Sequence, residues 1–124
     1  MMEPALACAQ GPDRERLERE IGVVRFCLVQ LVSSANITEF LLTRDALHAT
    51  EDRAQRQALL DRIEQLCHEE LDNAAQAIPL VEADCRLGWH GEAYGPMITR
   101  ELVEAKLAGL QEILQVHIPR LRGA

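Results

Sequence analysis

The sequence predicts an all-α fold: an antiparallel three-helix bundle with two long helices, one shorter helix and a kink near Pro79. Three observations predict it. Apolar residues, chiefly Leu, Ala, Ile and Val, make up 48% of the chain and aromatics only 3%, a balance that favours helices over strands. Apolar positions recur every three or four residues along three segments, as on amphipathic helices. Three such stripes are hidden most simply against one another. The 124 residues suit a single domain, residues 13–118, between a flexible leader at 1–12 and a tail at 119–124.

The leader is expected because Pro4, Gly11 and Pro12 are separated by mostly small side chains, which bury too little surface to order a chain. Asp13 is the expected N-cap of a first helix at about 14–48. Its stripe is Leu17, Ile21, Val24, Leu28, Leu31 and Ala35, interrupted by Ser33, Ser34, Asn36 and Thr38 and resumed from Phe40. Thr50 should cap a second helix at 51–87, striped by Leu59, Ile63, Leu66, Ala74, Ile78, Val81 and Cys85. Pro79 removes a hydrogen bond and clashes with the carbonyl four residues back, so a kink or break belongs at Ala75 to Ile78, a kink being favoured. Gly88, in the left-handed conformation, ends this helix before a loop at 88–98. Thr99 caps the third helix, 100–117, with Val103, Leu107, Leu110, Leu114 and His117 on one face and an end before Pro119. Arg120 and Arg122 read as a solvated tail. The third helix is short, so part of the apolar surface is left for a partner, a catalytic domain or a second copy.

A formal net charge of -7 argues against nucleic acid and anionic membrane surfaces as partners. No continuous apolar run of membrane length stands out, and Met1-Met2-Glu3-Pro4 is unlike a secretory signal, so a cytoplasmic location is expected. Cys8, Cys27, Cys67 and Cys85 form no Cys-x-x-Cys pair; reduced thiols are expected, with Cys27 and Cys67 in the core and Cys85 buried at a helix end.

The segment DCRLGWHGEAYG, residues 84–95, gathers the only Trp, the only Tyr and three Gly. Trp89 and Tyr94 offer flat apolar faces, while Asp84, Arg86, His90 and Glu92 offer directed hydrogen bonds. Sugar sites use that mixture. A connection pinned by the aromatics, with Asp84 and Arg86 ion-paired, accounts for it equally. No metal-ligand spacing is present, His68 with its acidic neighbours reads as a solvated face, and neither a metal nor another cofactor is expected. A thiol site at Cys85 and His90 has no further support. Glu18, Glu20, Glu64, Glu69 and Glu70 read as a charged outer surface.

The stretch ELDNAAQAIPLVEADCRLGWHGEAYG, followed by ELVEAKLAGL, resembles the C-terminal helical region of large bacterial glycoside-hydrolase-like proteins, α-glucuronidase-like or hexosaminidase-like. SSANITEFLLTRDAL resembles that family's upstream helix at Asn36, Phe40, Arg44 and Asp45, and the motif is sharpest at Asp84, Arg86, Gly88 and Trp89. Cys85 stands where the family has Ser, and His90 where many members have Glu. The resemblance implies an accessory helical domain beside a catalytic barrel, itself not catalytic, in which residues 84–94 contact a glycan or the barrel. A barrel alone takes about 250 residues. The alternative is a helical interaction or oligomerisation module without a ligand.

Overall fold

The structure is a computed structural model that describes residues 3–89 and 97–123, and among these the fold is all-α. α1 spans Glu3–Cys8, α2 Gly11–Ala49, α3 Arg53–Ala75 and α4 Ala77–Ala83. A 3₁₀ turn follows at Cys85–Gly88; then come α5, Arg100–Glu112, a π turn at Ile113–His117, and α6, Ile118–Gly123.

Several boundaries differ from those the sequence predicts, each for a local reason. The leader carries α1, and Gly11, at φ +58°, makes the turn into α2, with Gln10 rather than Asp13 at the N-cap. That φ lies in the left-handed region, open to glycine at little cost. Asp52, not Thr50, caps α3, because its carboxylate accepts from Gln55 N at 2.7 Å. Arg56 satisfies the end of α2 by donating to the carbonyls of Leu47 and Thr50 at 3.0 and 3.2 Å, which would otherwise be orphaned.

Pro79 interrupts the helix where expected. Gln76 separates α3 from α4 but keeps right-handed helical angles, φ −66° and ψ −20°, and its N–H bonds back three residues to Asn73 O at 3.1 Å. Near the C-terminus, by contrast, helix continues through Pro119. The preceding turn widens so that Ile118 N–H reaches Ile113 O, five residues back. That widening gives the proline ring room, and Pro119 falls in the first turn of α6, where a missing N–H costs little. Arg122 is no solvated tail: it donates to Asp61 and Glu64 of α3 at 2.5 and 2.6 Å.

α2 packs along α3 and α4, and α5 packs against both α3 and α4. Two apolar clusters result. One joins Phe26 and Val29 to Ala77, Val81 and Val103; the other joins Leu47 to Leu60, Ile63, Cys67 and Ile118. His117 is exposed and Ile118 takes the buried place beside it.

The largest correction concerns α2. Its core face is Phe26, Val29, Ser33, Asn36, Phe40, Thr43 and Leu47, all buried or half-buried. The predicted stripe turns inward only at its ends, where Ile21 and Leu47 are buried and Leu17 and Phe40 half-buried; between them it faces solvent, with Val24 47% exposed, Leu28 55% and Leu31 67%. Cys27 is exposed as well, as is Cys85, while Cys67 is buried as expected.

Candidate functional site

Of the six residues proposed from the sequence for a glycan site, His90, Glu92 and Tyr94 lie outside the described residues. The other three sit at the end of α4. Asp84 caps the 3₁₀ turn by accepting from Arg86 N at 3.1 Å, and it takes the Arg86 guanidinium in a two-pronged pair at 2.8 and 2.6 Å. Those bonds hold the Asp84 carboxyl down at about 2. Trp89 is 55% exposed, on a shallow cleft of about 150 Å³ with Glu82, Cys85 and Thr99.

Gly88 is not left-handed. Its importance is proximity: its carbonyl accepts from Met97 N at 2.7 Å and Ile98 N at 3.1 Å, and a Cβ there would overlap the Ile98 carbonyl oxygen. This glycine therefore ties the end of the α4 arm to the approach of α5, a close backbone contact that a side chain would obstruct.

Between the two apolar clusters lies a polar layer that sequence reasoning missed. Glu70, expected on the outer surface, is only 3% exposed. Its carboxylate accepts from Ser33 Oγ and from Lys106 Nζ, and from Asn36 Nδ2 at 2.7 Å. Lys106 Nζ also donates to Ser33 Oγ at 2.7 Å, and Asn73 Nδ2 donates to Val29 O at 3.0 Å. Burial alone would raise the Glu70 pKa, but hydrogen bonds from Lys106, Ser33 and Asn36 outweigh it and hold the carboxyl below its ordinary value. Two residues from α2 and one from α5 thus meet at a single carboxylate carried by α3. The usable signal was the spacing 26-29-33-36-40-43-47, which is as regular as the apolar stripe but carries three polar residues.

Cavities of about 200 and 270 Å³ flank this layer, the larger walled by Ile37, Phe40, Leu41, Leu66 and Leu110. Lys106 borders both. Chemically the layer is closed: the Ser33 hydroxyl donates to a carboxylate, the carboxylate is held by an ammonium, and no buried side-chain nitrogen or oxygen among the described residues lacks a partner. Such a network specifies helix register. Among the described residues no group of three or more His, Cys, Asp or Glu side chains is placed to hold a metal.

What remains open is the outside of α2. Val24, Leu28, Leu31 and Leu42 along it are 47% to 67% exposed, and Val23, Val32, Ile37 and Leu41 on its flanks are at least 41% exposed. Ser34 and Thr38, on the same side, return their hydroxyl protons to Gln30 O and Ser34 O at 2.9 and 2.8 Å, so they ask nothing of a solvent. By length and composition alone, α2 is also long and apolar enough to cross a membrane. No family model matches this chain, and neither a curated protein nor a solved structure similar to it was found.

Proposed function

We propose that this chain is a helical interaction module whose working surface is the outer face of α2, which takes a partner helix. The packing of α2, α3–α4 and α5–α6 is read here as an antiparallel three-helix bundle serving as the scaffold for that face. The observation that carries the proposal is the exposure of Leu28 and Leu31, with six more large apolar side chains of the same helix, at 41% or above. Scattered exposed apolar residues need no explanation, but a contiguous row along one helix marks a contact surface. The outer side of α3, bearing Arg62, Glu69, Asp61 and Glu64 in surface ion pairs, favours a protein partner over a bilayer, which would have to accommodate those charges.

In dilute solution an apolar fluorescent dye should bind the wild-type chain. Leu28→Lys with Leu31→Lys should remove most of that signal while leaving helical circular dichroism intact. A signal indifferent to both changes, or a loss of helix, would overturn the assignment.

A second reading keeps the glycan, supported by Trp89 standing half exposed beside the fixed Asp84–Arg86 pair. On that reading the chain is the accessory domain of a carbohydrate-active protein, and residues 84–94 contact a sugar or the catalytic domain. Trp89 is the sole fluorescent indole. A saturable emission shift with uronic acids or amino sugars, lost in Asp84→Ala, is its expected result; a flat response across that panel overturns it.

A further inference from the structure

We propose that the partner on the outer face of α2 is a second copy of this chain, laid antiparallel along the same helix with the two-fold axis beside residue 33. This rests on the interaction-module reading and adds the identity and direction of the partner.

The outer row Val24, Leu28, Leu31, Ala35, Thr38 and Leu42 is spaced four, three, four, three and four, the seam of a two-stranded coil. Reversing the helix about residue 33 sets Leu31 against Ala35, Leu28 against Thr38 and Val24 against Leu42. Large side chains then meet small ones in the two central layers, so the ridge of one copy enters the gap of the other. A two-fold interface requires this self-complementarity, since one patch must serve both sides.

The charges choose the direction. Between Glu20 and Arg44 the chain carries two charged residues, Arg25 and Glu39. Both flank the row on the same side, one turn or less outside it. In the antiparallel arrangement each Arg25 faces the Glu39 of the other copy, twice by symmetry; Arg25 already has a partner within its own chain, and a guanidinium with five N–H donors can serve a second acceptor. On the opposite flank Glu20 faces His48 in the same way. A parallel pair would keep one opposite-charge match, Glu20 with Arg25, leave Glu39 facing Ser34, and stack Leu28 on Leu28 and Leu31 on Leu31 rather than on small side chains. Glu39 already receives Arg62 at 2.6 and 2.8 Å, and a carboxylate has the lone pairs to accept a further donor. Near the axis stand Val32 and Ser34; the latter's hydroxyl is internally bonded, so it can be covered without leaving a buried donor unpaired.

Sedimentation equilibrium of the full chain over a wide concentration range tests the proposal. The wild type should show a monomer–dimer equilibrium. Arg25→Glu and Glu39→Lys should each weaken it about tenfold or more, each bringing like charges together twice, and an equimolar mixture of the two variants should recover a heterodimer. Circular dichroism on each variant separates weakened association from lost fold, and Leu31→Lys supplies a monomeric control that leaves both charges in place. A dimer that Leu31→Lys dissolves but that is indifferent to the charge changes overturns the antiparallel register while the interaction module stands. A monomer at every concentration overturns the second copy as partner. If that monomer binds vesicles of phosphatidylcholine and phosphatidylglycerol through the same leucines, the protein-partner reading falls as well.

Discussion

The two long faces of α2 invert the usual order of a soluble helix. Its inner face carries Ser33, Asn36 and Thr43 into the bundle, while its outer face shows Leu28, Leu31 and Leu42 to solvent. A helix that needed only to be buried would turn the other way, because covering a Leu side chain stabilises by roughly 2 kcal/mol. What the inner face gains instead is specificity. Glu70 admits one alignment of α2, α3 and α5, because a shift by a turn would strand a carboxylate among apolar side chains.

Breaking that layer should have the largest effect. Glu70→Ala removes the acceptor of three donors and leaves Ser33, Asn36 and Lys106 without it, a loss expected to cost about 3 kcal/mol in urea unfolding. Replacing the whole group together, with Ser33→Ala, Asn36→Leu, Glu70→Leu and Lys106→Met, should recover most of that stability, and register would be the property that suffers, seen as broadened amide resonances. The layer also makes a pH prediction. In the folded chain the Glu70 carboxyl sits below its ordinary value of 4.5, so the folded state binds this proton less readily than the unfolded state. Its contribution is complete above pH 4.5 and fades as the pH falls through the lower folded value. Unfolding midpoints measured downward from pH 6 should decline in the wild type and decline less in Glu70→Gln.

The same inversion explains what the sequence could and could not say. Helix content followed from composition and period, and the break near Pro79 from the missing amide. The stripes of α3, α4 and α5 were legible because each has one apolar face: Ile63, Leu66, Ala74, Val81 and Val103 are buried as predicted. α2 was misread because it is apolar on nearly all sides between Ile21 and Leu42. Periodicity then offers two candidate faces, and the rule that apolar residues go inward selects the wrong one. Only Glu70 and Lys106, far away in sequence, decide between them, and that pairing has no local signature. The expected sugar site was half legible. Asp84 and Arg86 pair as the structural alternative anticipates, while His90, Glu92 and Tyr94 fall outside the described residues.

A second way to disturb the inner face acts from a distance. Ile98 packs on the Phe26 cluster and precedes α5, which delivers Lys106 to the polar layer. Gly88→Ala would drive a methyl group into the Ile98 carbonyl and should cost about 2 kcal/mol, the scale of an overpacked contact with little room to relax. Loss of the hydrogen-exchange protection of Met97 and Ile98 amides, which bond to Gly88 O, would localise the damage.

The smallest effect on the fold should come from the most conspicuous residue. Leu31 is 67% exposed, so a long polar side chain there removes few native contacts, and lysine forms helix nearly as well as leucine. At concentrations low enough to suppress association, Leu31→Lys should change unfolding stability by no more than about 0.5 kcal/mol, the range of ordinary surface substitutions. Raising the concentration should separate the two proteins: the wild type gains stability by mass action if its outer face is covered in a complex, and the variant does not. A large loss already present in dilute solution would mean that Leu31 belongs to the core, and the contrast between the two faces of α2 would fail with it. An unchanged stability combined with lost concentration dependence would mean that one helix divides its labour, its polar face fixing the monomer and its apolar face joining monomers together.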